Sequence, residues 1–264
     1  VPEISKVLTH IFNTSLSTGI VPSKLKIAKV TPIYKAGDSH AFSNYRPISI
    51  LPSISKLLEK VMYKRIYNFV STHNILSPNQ FGFRPKRSTY MAINDLYCNI
   101  TKALDDKLHC VGIFLDLSKA FDTLNHDILI NKLHHYGIRG LAGKWIRNYL
   151  SNRKQFVVFN QEASSLTNIS CGVPQGSILG PLLFLLYIND LPLCSSNLHL
   201  ILFADDTNIL FSHKDPKSLE TKLNTELSTI ANWFKLIKLS LNIKKTNYMI
   251  FKNKHNNKSN ADIK

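Results

Sequence analysis

Two adjacent aspartates, Asp205 and Asp206, stand between two apolar runs, Leu198-His199-Leu200-Ile201-Leu202-Phe203-Ala204 before and Asn208-Ile209-Leu210-Phe211 after. Each run reads as a strand. The pair is therefore expected at the tip of a β-hairpin, where a turn would ordinarily use Asn-Gly or Asp-Gly. Adjacent carboxylates repel unless a cation lies between them, so the dipeptide points to a metal. A third carboxylate, Asp116, lies within the apolar strand Ile113-Phe114-Leu115-Asp116-Leu117. A buried carboxylate on its own is costly. Water at the strand end, a salt bridge or a metal would each relieve it. With the pair elsewhere in the chain the metal gains weight, because two strands can pool their carboxylates at one sheet edge. Oxygen-only ligation of this kind suits Mg²⁺, which shares its shell with water and substrate phosphates.

Other polar groups carry less. The four cysteines form no CxxC pair, and His134-His135 has no carboxylate or thiol at ligand spacing. Trp145 and Trp233 read as packing residues, and Asp122, Asp127 and Asp190 as caps or solvated acids. The 264 residues carry 33 Lys and Arg against 17 acids, a formal net charge of +16. Such an excess favours a polyanionic partner, nucleic acid before membrane. The longest apolar run, Pro181 to Ile188, is too short to span a bilayer. No signal-peptide pattern opens the chain, and an intracellular, reduced protein is expected. The start without Met and the polar end lead us to expect a piece of something longer.

The elements that must hold these groups follow from periodicity. Helices are expected over Ile4 to Phe12, Ile54 to Phe69, Ile93 to Leu104, Asp122 to Tyr136, Pro181 to about Asp190, and Leu219 to Ile237. Strands are expected over Ile27 to Tyr34, Tyr45 to Leu51, Val111 to Leu117, Gln155 to Phe159 and Tyr248 to Phe251, besides the two of the hairpin. Pro32 argues that the first strand is an edge. Gly172 to Gly180 is a loop with three glycines. The irregular mixture favours α+β over a doubly wound sheet.

Four segments now gain meaning together. Phe203-Ala204-Asp205-Asp206 resembles the FxDD signature of reverse transcriptases, and Phe114 to Asp122 resembles their motif with the first catalytic aspartate. Gly172-Val173-Pro174-Gln175-Gly176-Ser177-Ile178-Leu179-Gly180-Pro181 is similar to their PQG motif, and Asn44-Tyr45-Arg46-Pro47-Ile48-Ser49 to a fingers motif of the non-LTR, LINE-type branch. They occur in family order between about Ile27 and Phe251.

The resemblance implies a right-hand polymerase with fingers and palm, the palm an antiparallel sheet packed on helices. Residues 1–110 would be an N-terminal extension and fingers. Residues 111–251 would be palm, with a fingers-like insertion at 130–170, and 252–264 a polar linker towards a thumb outside the chain. The implied activity is RNA-directed DNA synthesis: a primer 3′-hydroxyl attacks the α-phosphate of a dNTP and pyrophosphate leaves. Two Mg²⁺ ions, or Mn²⁺ in their place, would be held by Asp116, Asp205, Asp206 and the Leu117 carbonyl. Lys245 resembles the lysine that protonates pyrophosphate, with Lys244 as the neighbouring alternative. Nucleotide binding would fall to Lys35, Arg46, Leu117, Gln175, Gly176 and Phe121, the last as an aromatic gate against a ribose 2′-hydroxyl. Arg84, Lys86 and Arg87, interleaved with Phe81 and Phe83, look like a template contact. The implied partners are an RNA template, a DNA primer and dNTP, with no membrane, and an endonuclease and thumb elsewhere in a longer polyprotein acting in the nucleus at integration. Two other readings compete: a non-catalytic RNA-binding remnant, against which the intact carboxylates argue, and a related polymerase, such as an intron-encoded one or an RNA-templated RNA polymerase, with Phe121 arguing against ribonucleotide use.

Overall fold

A computed structural model describes residues 2–252. Of the linker expected at 252–264, residues 253–264 lie outside the described residues. In chain order the first elements are α1 (Pro2–Thr18), β1 (Ile27–Tyr34), β2 (Tyr45–Ile50), α2 (Ser53–Thr72), α3 (Thr89–Asp105) and β3 (His109–Leu115). There follow α4 (Ala120–Thr123), α5 (His126–His135), α6 (Gly140–Leu150), β4 (Arg153–Phe159), β5 (Glu162–Ala163) and β6 (Thr167–Ile169). The last are α7 (Leu179–Ile188), β7 (His199–Phe203), β8 (Asp206–His213), α8 (Pro216–Leu236) and β9 (Asn247–Phe251).

The contacts divide the chain into two compact units that interleave along the sequence. One combines the residues up to Ile75 with Phe121–Tyr187; the other combines Leu76–Ala120 with the chain from Ile188 onward.

The first unit holds a sheet of order β2-β1-β4-β5, with β6 also paired to β4. β1 is not the edge expected from Pro32. It pairs antiparallel with β2 and parallel with β4, but the β4 pairing covers only Ile27–Val30. Pro32 lies beyond that stretch, where no second neighbour needs its missing N–H. The single helix expected over Asp122–Tyr136 is broken into α4 and α5, because the Asn125 side chain accepts from the Ile128 N–H and caps a new start. Residues 140–150, assigned no element from the sequence, form α6. Its Trp145, Ile146, Tyr149 and Leu150 are buried, and the Trp145 indole N–H donates to Ser15 Oγ at 3.0 Å.

The second unit holds a four-stranded antiparallel sheet of order β7-β8-β3-β9. α3 packs against β7, β3 and β8, and α8 against β8. Ala92 and Ala103 of α3 meet Cys110, Ile201 and Leu210, with Leu96 and Ile100 alongside. Burial in this apolar layer pushes the Cys110 thiol up to about 11, so it behaves as a packing residue.

Candidate active site

The β7–β8 hairpin turns on two residues, Ala204 and Asp205, since Phe203 pairs with Asp206. Asp206 is thus the first residue of β8 rather than part of the tip. Ala204 adopts φ of 56°, a left-handed conformation normally left to glycine. β3 runs antiparallel to β8 with Leu115 opposite Thr207. Continuing that register by one residue sets Asp116 across from Asp206. Both carboxylates line one pocket of about 430 Å³, with Lys245 in the same wall and Phe114, Ile201 and Phe203 among its apolar lining. Lys244 is exposed and does not line it.

The Asp206 carboxyl is held above its ordinary value, first by partial burial, then by the charges of Asp205 and Asp116. Asp116 is fixed twice by Asn242: its Oδ2 accepts from Asn242 Nδ2 at 2.9 Å, and its carbonyl from the Asn242 N–H at 2.8 Å. The second bond is half of a bridge in which Leu117 faces Leu241 and Ser118 N–H donates to the Ser240 carbonyl. In such a pair the central residue's own N–H and C=O point away from the partner strand. The Leu117 carbonyl is therefore not taken up by this bridge.

These groups fit a divalent cation. The charges of Asp205 and Asp116, which disfavour the ionised Asp206, would be offset by one. Among the described residues no three His, Cys, Asp or Glu side chains close into a ready metal cage. Mg²⁺ is usually bound instead by one or two carboxylates together with substrate phosphates.

The first unit carries Lys35, Arg46, Gln175, Gly176 and Phe121. Arg46 of β2 lies opposite Ile33, and Lys35 N–H donates to the Asn44 carbonyl. The two basic residues therefore share one face of the β1–β2 hairpin, and both are exposed. Gln175 differs from expectation in its partner: Nε2 donates to both oxygens of Asp122, at 2.8 and 2.9 Å. Asp122, expected as a cap or solvated acid, thus positions Gln175. The Gln175 carbonyl accepts from the Ser49 N–H, and a Cβ on Gly176 would lie 2.6 Å from the Ser49 carbonyl oxygen. Gly176, at φ of 118°, lets the loop lie against β2. Phe121 is half-buried and stacks on buried Phe184, centroids 4.6 Å apart.

Of the expected template contacts, Lys86 is exposed. Arg87 lies over the Phe81 ring, 5.1 Å from its centroid. Arg84 donates to the carbonyls of Ser77 and Gln80, at 2.6 and 3.2 Å, which gives it work inside its own loop.

Residues 33–260 match the reverse transcriptase (RNA-dependent DNA polymerase) family. The chain belongs to that family. It is 34% identical over 90% of its length to the probable RNA-directed DNA polymerase from transposon BS of Drosophila melanogaster, covering 27% of that protein. It is 29% identical over 94% of its length to the RNA-directed DNA polymerase of the mobile element jockey of the same fly, covering 28%. The Pol polyprotein of the type-1 retrotransposable element R2 of Popillia japonica is 30% identical over 88% of the chain, which covers 33% of it. The chain thus spans about a quarter to a third of the curated relatives it matches. The kinship with non-LTR retrotransposons expected from the motifs holds.

Among solved structures, apo telomerase from Candida tropicalis superposes with a TM-score of 0.64 at 11% identity, over 94% of this chain and 49% of that one. Telomerase from the same yeast in complex with a fragment of telomeric RNA gives 0.62 at 14% identity, over 94% of this chain and 45% of that one. At such identity the likeness concerns the fold, which is the right-hand polymerase fold expected from the sequence. Members of the reverse transcriptase family generally use divalent metal ions.

Proposed function

We propose that this chain is the catalytic domain of an RNA-directed DNA polymerase, adding dNTPs to a primer 3′-hydroxyl on an RNA template during retrotransposition. The observation that carries the reading is the pocket wall shared by Asp116, Asp206 and Lys245, with Asp205 on the adjoining turn. Asp116, Asp205, Asp206 and the Leu117 carbonyl would hold two Mg²⁺ ions, for which Mn²⁺ could substitute. When bound, such ions lower the pKa of the attacking hydroxyl and neutralise charge on the attacking and leaving oxygens.

The protein's own groups do the rest. Asn242 holds Asp116 in place through side chain and backbone. Lys245 is the proton donor for the departing pyrophosphate. Lys35 and Arg46 grip the triphosphate, the arginine offering a planar fork of donors. Gln175, held by Asp122, offers its remaining amide capacity to the nucleotide, and Phe121, braced on Phe184, excludes a ribose 2′-hydroxyl. Lys86 and Arg87 contact template phosphates, with Arg84 fixing the loop that presents them.

Primer extension on an RNA template tests this reading. Incorporation of dNTPs that requires Mg²⁺ and stops on chelation is expected. Phe121→Ala is expected to gain ribonucleotide incorporation; a variant that still rejects rNTPs would remove the gate assignment. Binding of RNA with no metal-dependent extension, by a protein that retains its fold, would favour the non-catalytic reading.

A further inference from the structure

The Ala204-Asp205 turn just ahead of β8 has a backbone problem, and its solution lies 124 positions from Ala204 in the sequence. Ala204 sits at φ of 56° without being glycine. Such a conformation persists only where the surroundings over-determine it. Gln80, only 2% exposed, supplies that constraint. Its Oε1 accepts from the Ala204 N–H at 3.0 Å and from the Gly82 N–H at 2.8 Å, and its Nε2 donates to the Ala204 carbonyl at 3.4 Å. Two backbone donors on one side-chain oxygen fix which end of the amide faces them.

The backbone around Gln80 docks on the same strand. The Phe81 N–H donates to the Leu202 carbonyl at 2.8 Å, and the Leu202 N–H to the Asn79 carbonyl at 2.9 Å, giving a short parallel bridge between Gln80 and Leu202. Gly82 completes the seat: a Cβ there would lie 2.2 Å from the Ala204 nitrogen. No other residue type would let the loop lie so close to the turn.

We propose that Gln80 is a positioning residue that clamps the Ala204-Asp205 turn and thereby sets the Asp205 and Asp206 carboxylates for divalent-cation binding. The inference rests on the reading of those carboxylates as metal-holding groups. The chemistry of the side chain is specific. A carboxylate at this position could accept from both N–H groups but could not donate to the Ala204 carbonyl, and would add another negative charge beside the three already there. An apolar side chain of equal length would leave two buried N–H groups without an acceptor.

Mn²⁺ binding to the 264-residue chain, followed by electron paramagnetic resonance, separates the possibilities, with thermal unfolding recorded for every variant. Wild type is expected to bind and Asp205→Asn to lose binding. Gln80→Met is expected to weaken Mn²⁺ about 10- to 100-fold, the usual effect of removing a partner behind a metal ligand. Asn79→Ala provides the control. Its Nδ2 donates to the Leu200 carbonyl at 2.7 Å, on the same strand but away from the turn. It should lower the melting temperature with Mn²⁺ affinity unchanged. If the methionine variant does not fold, Gln80→Asn, one methylene shorter, withdraws the oxygen from Ala204 and is expected to show the same weakening. A folded Gln80 variant with wild-type Mn²⁺ affinity, alongside an Asp205→Asn that has lost it, overturns the clamp and leaves the carboxylate reading standing. Wild-type affinity in Asp205→Asn overturns the reading beneath it.

Discussion

Asp206 carries a charge that the folded chain disfavours, and this has a measurable consequence without any metal. Its carboxyl sits above the ordinary aspartate value because of partial burial and the charges of Asp205 and Asp116. Between the ordinary and the raised value, the folded state retains a proton that the unfolded chain has released. Stability therefore falls as pH rises through that window, and the deficit persists above it. Asp206→Asn is expected to melt higher than wild type at pH 7 in chelator, with the advantage vanishing below the ordinary carboxyl range. An unchanged or lower melting temperature at pH 7 would contradict the like-charge cluster. At this scale the three acids were legible because a carboxylate in an apolar strand, or doubled at a turn, is an anomaly that local sequence displays. Asp122 and Gln80 were not. Their partners, Gln175 and Ala204, lie 53 and 124 residues away, and no local pattern records such a pairing.

At the scale of elements, hydrophobic periodicity located most helices and strands, because each must bury one face. It left α6 unassigned, and it erred where a cap or a missing neighbour decided the outcome. Asn125 splits one periodic run into α4 and α5, and the short reach of β4 lets Pro32 sit in a strand that is paired on both sides only at its start. A carboxylate outside the expected motifs, Glu59 of α2, shows how the glycine loop is tied to its helix. It is buried, it accepts from the Ile178 N–H at 2.6 Å just ahead of α7, and Tyr149 donates its hydroxyl to it at 3.0 Å. Burial raises its carboxyl above the ordinary value, against the pull of these donors and of Arg153. Glu59→Leu leaves those donors unsatisfied in the core. A loss of about 2–4 kcal/mol of unfolding free energy is expected from urea denaturation; a loss within about 0.5 kcal/mol, the range of an ordinary surface change, would show that the bonds do not anchor α7.

For the whole molecule, the net charge of +16 favoured a polyanionic partner before any motif was read. The interleaving of the two units was hidden, since the chain passes between them after Ile75, Ala120 and Tyr187 without a linker composition to mark the place. If the chain binds an RNA–DNA duplex as proposed, its charge excess is expected to make that binding steeply salt-dependent. Lys86→Ala is expected to reduce the log–log slope by about 1, as loss of a phosphate contact does. Arg84→Ala should instead lower the melting temperature, because its donors hold the Ser77 and Gln80 carbonyls. Equal slopes for wild type and Lys86→Ala would remove that lysine from the template contact. The central claim is that the carboxylates on this hairpin carry nucleotide transfer. It is tested most directly by RNA-templated primer extension with Mg²⁺ and dNTPs, comparing wild type with Asp205→Asn at equal primer–template occupancy. Extension is expected to fall by about 10²- to 10⁴-fold, the value of several kcal/mol of transition-state stabilisation. Extension at the wild-type rate in Asp205→Asn would contradict the claim.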